Sequence, residues 1–153
     1  MIRGWLMAGM LLAGSLVFAG DRQVEVWVVR GADGAETYSG KFDAQVTAWQ
    51  EACAKGELKS EVITSFDALK AALLARQAGT ASSLWLVFVG HGTFDGREAK
   101  FNLVGPDVSA TQLAEWVKPL KQEVVLVNTA SASGAFVKPL AGPRRAIVSA
   151  TNS

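Results

Sequence analysis

The chain has 153 residues, half of them hydrophobic, with 15 basic side chains set against 14 acidic ones. That length suits one domain with a single core. So apolar and nearly neutral a sequence excludes an intrinsically disordered chain, and the lack of a basic stripe argues against a nucleic-acid binder. Arg144 and Arg145, the only dense basic spot, precede a strand and read as a solvated turn.

The first residues read as a secretory signal. Met1-Ile2-Arg3 gives a short positive start, Trp5 to Phe18 is almost wholly apolar, and Val17 and Ala19 stand where a signal peptidase reads small residues. Cleavage after Ala19 would leave a mature domain over residues 20–153, secreted or periplasmic and free of the membrane. The rival reading is an uncleaved membrane anchor, although the apolar run is short of a full span. Cys53 is the only cysteine, which excludes an intramolecular disulfide and a structural zinc site; it reads as a small residue packed on a helix.

Strand and helix signals then alternate. Val24 to Arg30 is a β-branched apolar run closed by Gly31-Ala32-Asp33-Gly34, a buried first strand. Phe42, Val46, Trp49 and Cys53 have helical spacing over Phe42 to Lys55, and Gly56 ends that helix. Ser60 to Thr64 is a short strand. Ser65 caps a helix from Phe66 to Gln77 with Phe66, Leu69, Leu73 and Leu74 on one face and Gly79 as its stop. Leu84 to Val89 is the most continuous apolar strand and runs into Gly90-His91-Gly92.

A polar stretch from Thr93 to Asp107 holds a small hairpin, and Ser109 caps a helix through Leu120 with Leu113, Trp116, Val117 and Leu120 inward. Val124 to Val127 is a buried strand that empties into Asn128-Thr129-Ala130-Ser131-Ala132-Ser133-Gly134. A short helix from Ala135 to Leu140 and a strand from Ala146 to Ser149 complete the order. Strands buried on both faces and separated by helices predict an α/β domain with a mostly parallel, open, doubly wound sheet covered on both sides. The chain stops just after a strand with no closing helix, which reads as a domain cut short at its C-terminus.

Two loops are candidates for chemistry, because both leave the carboxyl ends of the most buried strands. One holds His91, the sole histidine, between two glycines; the other is rich in hydroxyls. In a parallel sheet both open on one edge, where ligands bind. Gly90, Gly92 and Gly96 do not make a dinucleotide fingerprint, since no amphipathic helix follows them, and no Gly-Lys-Ser/Thr forms a phosphate loop. No metal or cofactor is implied. Asp95, Glu98 and Asp107 read as solvated loop acids rather than contacts for a basic substrate.

The pieces LWLVFVGHG, FNLVGPDVSATQLAEWV and VVLVNTASASG, in that order, resemble the core of the caspase, legumain and gingipain group of cysteine peptidases. The resemblance extends from Val24 onward, with its specific part between Leu84 and Gly134. It implies a three-layer caspase-like sheet and a peptide or protein segment as partner. In caspases the nucleophile follows the histidine by about fifty residues; here Ser131 follows His91 by 40, nearer the legumain-like members.

Carried over, His91 matches the general base and Gly92 the glycine whose N–H helps form the oxyanion hole. Ala130 and Gly134 match the small residues around the nucleophile, and Ser131 stands in the nucleophile's own place. Asn128, Thr129 and Ser133 flank it as candidate substrate contacts, and Asn152 and Ser153 fall where the group builds specificity. The departure is central: a thiol is partly ionised and strongly nucleophilic near neutral pH, whereas a serine hydroxyl needs a well-placed base. Neither serine sits in a Gly-x-Ser-x-Gly elbow. The expectation is a secreted peptidase homologue impaired in hydrolysis. Two alternatives stand beside it: an active hydrolase using Ser131 with His91, and a non-catalytic interaction module in which TASASG is only a strand-to-helix turn.

Overall fold

The computed structural model describes residues 23–76 and 83–151. The apolar leader, the Gly79 stop, Asn152 and Ser153 lie outside the described residues.

Five strands form one parallel sheet: β1 (Val24–Arg30), β2 (Lys59–Ile63), β3 (Ser83–Val89), β7 (Val124–Asn128) and β8 (Arg145–Ser149), in the order β2-β1-β3-β7-β8. β1 and β3 pair along their whole length, from Val24 with Ser83 to Arg30 with Val89. Their composition explains the position: VEVWVVR and SLWLVFV carry bulky apolar side chains on both faces, so only a strand covered on both sides satisfies them. The outer strands are shorter and more polar, as edges require.

The helices supply the cover. α1 (Glu36–Lys55) lies on one face, where Phe42, Val46 and Cys53 pack against Val26, Val28, Val87 and Val89. α2 (Phe66–Arg76), α3 (Ala110–Val117) and α4 (Val137–Leu140) cover the other, where Leu69, Leu73, Leu113 and Leu140 meet Trp27, Leu84, Leu86 and Leu126. Each such fully buried side chain contributes about 1.5–3 kcal/mol through water exclusion. The expected three-layer α/β architecture is therefore present. The lone thiol of Cys53 is buried in the α1 face, as its helical spacing predicted.

Several boundaries differ from expectation. α1 begins six residues earlier, at Glu36 rather than Phe42. It ends at Lys55 with Gly56 as its cap, as expected, and Glu57 just beyond is left-handed (φ 53°), which lets Leu58 N–H reach the Cys53 carbonyl at 2.9 Å. Leu74 is 44% exposed, because it falls to the side of the stripe set by Leu69 and Leu73. α3 stops at Val117, since Pro119 lacks the N–H that would carry the ladder on. Its start is as expected: Ser109 Oγ accepts from Gln112 N–H and the Gln112 side chain accepts from Ser109 N–H, each at 3.1 Å.

The polar stretch holds more than a hairpin. β4 (Gly92–Phe94), β5 (Ala99–Phe101) and β6 (Val108–Ser109) form a three-stranded antiparallel sheet of their own. Its acids hold turns rather than only facing water: Asp95 Oδ1 accepts from Arg97 and Glu98 N–H at 2.9 Å, and Asp107 Oδ1 accepts from Leu103 N–H. Nor is Arg145 a solvated turn residue. Its guanidinium donates to the carbonyls of Val117, Leu120, Gln122 and Arg144, closing the end of α3 onto β8. Burial, with Arg144 alongside, lowers its pKa from the ordinary arginine value. No described helix is long and apolar enough to cross a membrane.

Candidate active site

The strand order reverses direction between β1 and β3: β1 is followed by β2 on one side, β3 by β7 on the other. In open sheets of this kind ligands bind at the carboxyl ends of the strands near such a point. Two glycines let the strand ends stay close. A Cβ on Gly90 would lie 2.9 Å from Gly31 Cα and from the Phe101 ring, and one on Gly31 would lie 2.7 Å from the Asn102 carbonyl. Gly31 N–H donates to the Val89 carbonyl at 2.8 Å, which extends the β1–β3 ladder into the loop.

His91 follows directly. Its ring is half-buried and stands edge-on to two aromatic rings of α1, Tyr38 at 4.5 Å and Phe42 at 4.9 Å between centroids. Gly34 closes a third side, since a Cβ there would come within 3.2 Å of the imidazole. Arg30 fixes this wall: Nε donates to Asp43 at 2.7 Å and a terminal nitrogen to Asp33 at 2.6 Å, tying the loop after β1 to the start of α1. The Asp43 hydrogen bond raises the Arg30 pKa above its ordinary value. The sequence reading placed Arg30, Gly34 and Phe42 in a strand, a turn and a helix without linking them to His91, and it did not single out Tyr38. The signal was there in Tyr38 and Phe42, four apart on one helical face.

Gly92 opens β4. In an antiparallel ladder, bonded and unbonded residues alternate. Asn102 N–H donates to the His91 carbonyl and Asp95 N–H to the Glu98 carbonyl, so His91, Thr93 and Asp95 face β5. The N–H and C=O of Gly92 and Phe94 therefore point away from β5, to the open edge. On its other side Gly92 meets the second loop: a Cβ would fall 2.1 Å from the Ser131 carbonyl oxygen and 3.3 Å from Ala130 Cβ. No side chain fits there, and the two loops touch backbone to backbone.

The second loop is held from beneath. Asn128, 1% exposed at the end of β7, accepts from Ala130 N–H through Oδ1 at 3.1 Å; its Nδ2 has no partner among the described residues. Thr129 is exposed, with its hydroxyl donating to the Phe88 carbonyl at 2.8 Å. Ser133 is fully buried; its Oγ accepts from Ala150 and Thr151 N–H, both at 3.1 Å, and lies 3.2 Å from Thr151 Oγ1. Of the three residues expected to contact substrate, Asn128 and Ser133 thus brace the loop from inside, and Thr129 binds β3. Ser131 is exposed, and its hydroxyl makes no hydrogen bond among the described residues. Ala132, in the left-handed region at φ 57°, reverses the chain between the two serines.

The geometry brings His91, Gly92 and Ser131 to one edge, but it does not join the imidazole to the hydroxyl. Among the described residues neither side chain makes a hydrogen bond, and no carboxylate orients the ring. Such an arrangement offers backbone N–H donors beside an exposed serine, without a base engaged to activate it. Scanned against protein-family models the chain matches none, and a search of curated proteins likewise finds no match.

Proposed function

We propose that the chain is a secreted relative of the caspase and legumain peptidases. It binds an extended peptide along the sheet edge where the His91 and Ser131 loops meet and is impaired in hydrolysing it. The observation that carries this reading is the contact of Gly92 with the Ser131 carbonyl at the carboxyl edge of adjacent parallel strands. It puts the outward N–H of Gly92 alongside Ser131, in reach of one carbonyl oxygen of a bound peptide.

Impairment follows from the nucleophile. A hydroxyl attacks only when a base takes its proton as the bond forms, and that requires a hydrogen bond between them. The imidazole is instead packed among Tyr38, Phe42 and Gly34. A thiol at the same place needs less help, because part of it ionises unaided.

The test is hydrolysis of a mixed peptide library by the full chain beside its Ser131→Cys variant, with His91→Ala combined with each. The expected result is silence from the unmodified chain, cleavage by the cysteine variant, and its loss without His91. Cleavage by the unmodified chain that disappears in His91→Ala establishes a serine-using hydrolase and overturns the impairment. Silence from both overturns the peptidase ancestry in favour of an interaction module.

A further inference from the structure

β4 is the outermost strand of the small sheet, with β5 on one side and no strand on the other among the described residues. Its free edge carries the N–H and C=O of Gly92 and of Phe94, because the groups of His91, Thr93 and Asp95 face β5. The two sets lie two residues apart, about 6.8 Å along the strand. Alternating donors and acceptors at that spacing match one kind of partner, another extended polypeptide backbone.

The side chains add a preference. Residues two apart on a strand share a face. The missing Cβ of Gly92 points at the Ser131 carbonyl, so Phe94 projects on the same side of the sheet as Ser131. Phe94 is 56% exposed, although Ala99, its partner across the ladder, is buried. Thr93 points to the opposite face and is exposed too.

We infer that the open edge of β4 is a peptide-docking ladder. An extended segment pairs with the Gly92 and Phe94 backbone groups and lays one apolar side chain on the Phe94 ring, with its chain passing Ser131. This rests on the peptide-binding reading above and gives it a direction and a specificity residue. Sequence preference arises beside β4 from Phe94, whereas the ladder itself accepts any backbone that is not proline or N-methylated.

The experiment is fluorescence anisotropy of the full chain with fluorescein-labelled octapeptides of alanine carrying a single Leu, Phe, Lys or Glu at each position in turn. The best binder is then N-methylated one residue at a time. The expected result is a preference for Leu or Phe at one position and loss of binding on methylation at every second residue only. Phe94→Ala keeps the backbone donor and loses the ring, and weakens binding about tenfold. Phe94→Pro also removes the outward N–H and abolishes binding; proline is tolerated because that N–H is not part of the β5 ladder.

Binding that ignores both Phe94 variants and shows no alternation overturns the ladder while leaving peptide binding elsewhere along the sheet edge. Binding to no peptide overturns the proposed function and the ladder together. Should Phe94→Pro unfold, the methylation pattern alone decides.

Discussion

The Ser131 carbonyl oxygen occupies the space that a Gly92 side chain would take, 2.1 Å from where its Cβ would stand. Both partners are backbone, so neither rotates away. Gly92→Ala must push the His91 and Ser131 loops apart, at a cost of about 1–3 kcal/mol, typical of forced overpacking. Gly40, within α1, has nothing within 4 Å of its Cβ position. There the same substitution stabilises by about 0.5–1 kcal/mol, through helix propensity and a less flexible unfolded chain. Urea unfolding of the two variants shows midpoints moved in opposite directions at an unchanged slope.

The two serines of the loop predict a second contrast. Ser133 Oγ, fully buried, accepts from Thr151 N–H and shares Ala150 N–H with the Asn128 carbonyl, so Ser133→Ala removes both bonds to the hydroxyl and costs about 1–2 kcal/mol. Ser131 is exposed and its hydroxyl makes no hydrogen bond among the described residues, so Ser131→Ala stays within about 0.5 kcal/mol of the parent. Thermal melts check both. Equal losses would mean that the Ser131 hydroxyl also holds the fold.

That contrast marks where sequence reading ends. The strands were legible because runs such as LWLVFV can only be buried on both faces, and α3 because Ser109 is a good cap ahead of the apolar face of Leu113, Trp116 and Val117. Adjacency of the His91 and Ser131 loops followed from parallel strands alone. The inward turn of Ser133 did not, because it depends on a left-handed alanine at position 132, a conformation that no local preference announces. The aromatic wall at His91 was missed for a different reason. α1 starts through Glu36-Thr37-Tyr38-Ser39-Gly40, whose mostly weak helix formers, Gly40 among them, hid the register linking Tyr38 to Phe42.

The end of α1 holds a correctable strain. Glu57 sits at φ 53°, where a β-carbon crowds the following carbonyl at a cost of about 1–2 kcal/mol. Glycine relieves that crowding while raising the entropy of the unfolded chain. Glu57→Gly therefore gains about 0.5–1 kcal/mol and raises Tm by about 2 °C, as calorimetry reads it. Glu57→Val, β-branched at the same angle, shifts Tm the other way. A gain from valine would mean that the left-handed turn is not kept in solution.

Cys53 provides a reporter of opening and a pH signature. Burial raises its thiol pKa, with the Ser60 hydroxyl partly opposing the shift. The folded chain thus holds the proton more tightly than the unfolded chain. Full stability from this group is present below the unfolded thiol's pKa of about 8.5 and is lost as pH rises from there through the folded value. Stability in the native protein should decline on the alkaline side, and Cys53→Ala should flatten that decline while lowering stability at every pH through the lost packing. At pH 7.5 the thiol should resist iodoacetamide in buffer and react fully in urea, with intermediate rates tracking how often α1 lifts from the sheet. Rapid labelling of the native chain would place α1 loosely over Val26, Val28, Val87 and Val89, and the aromatic wall around His91 would then be no fixed part of the site.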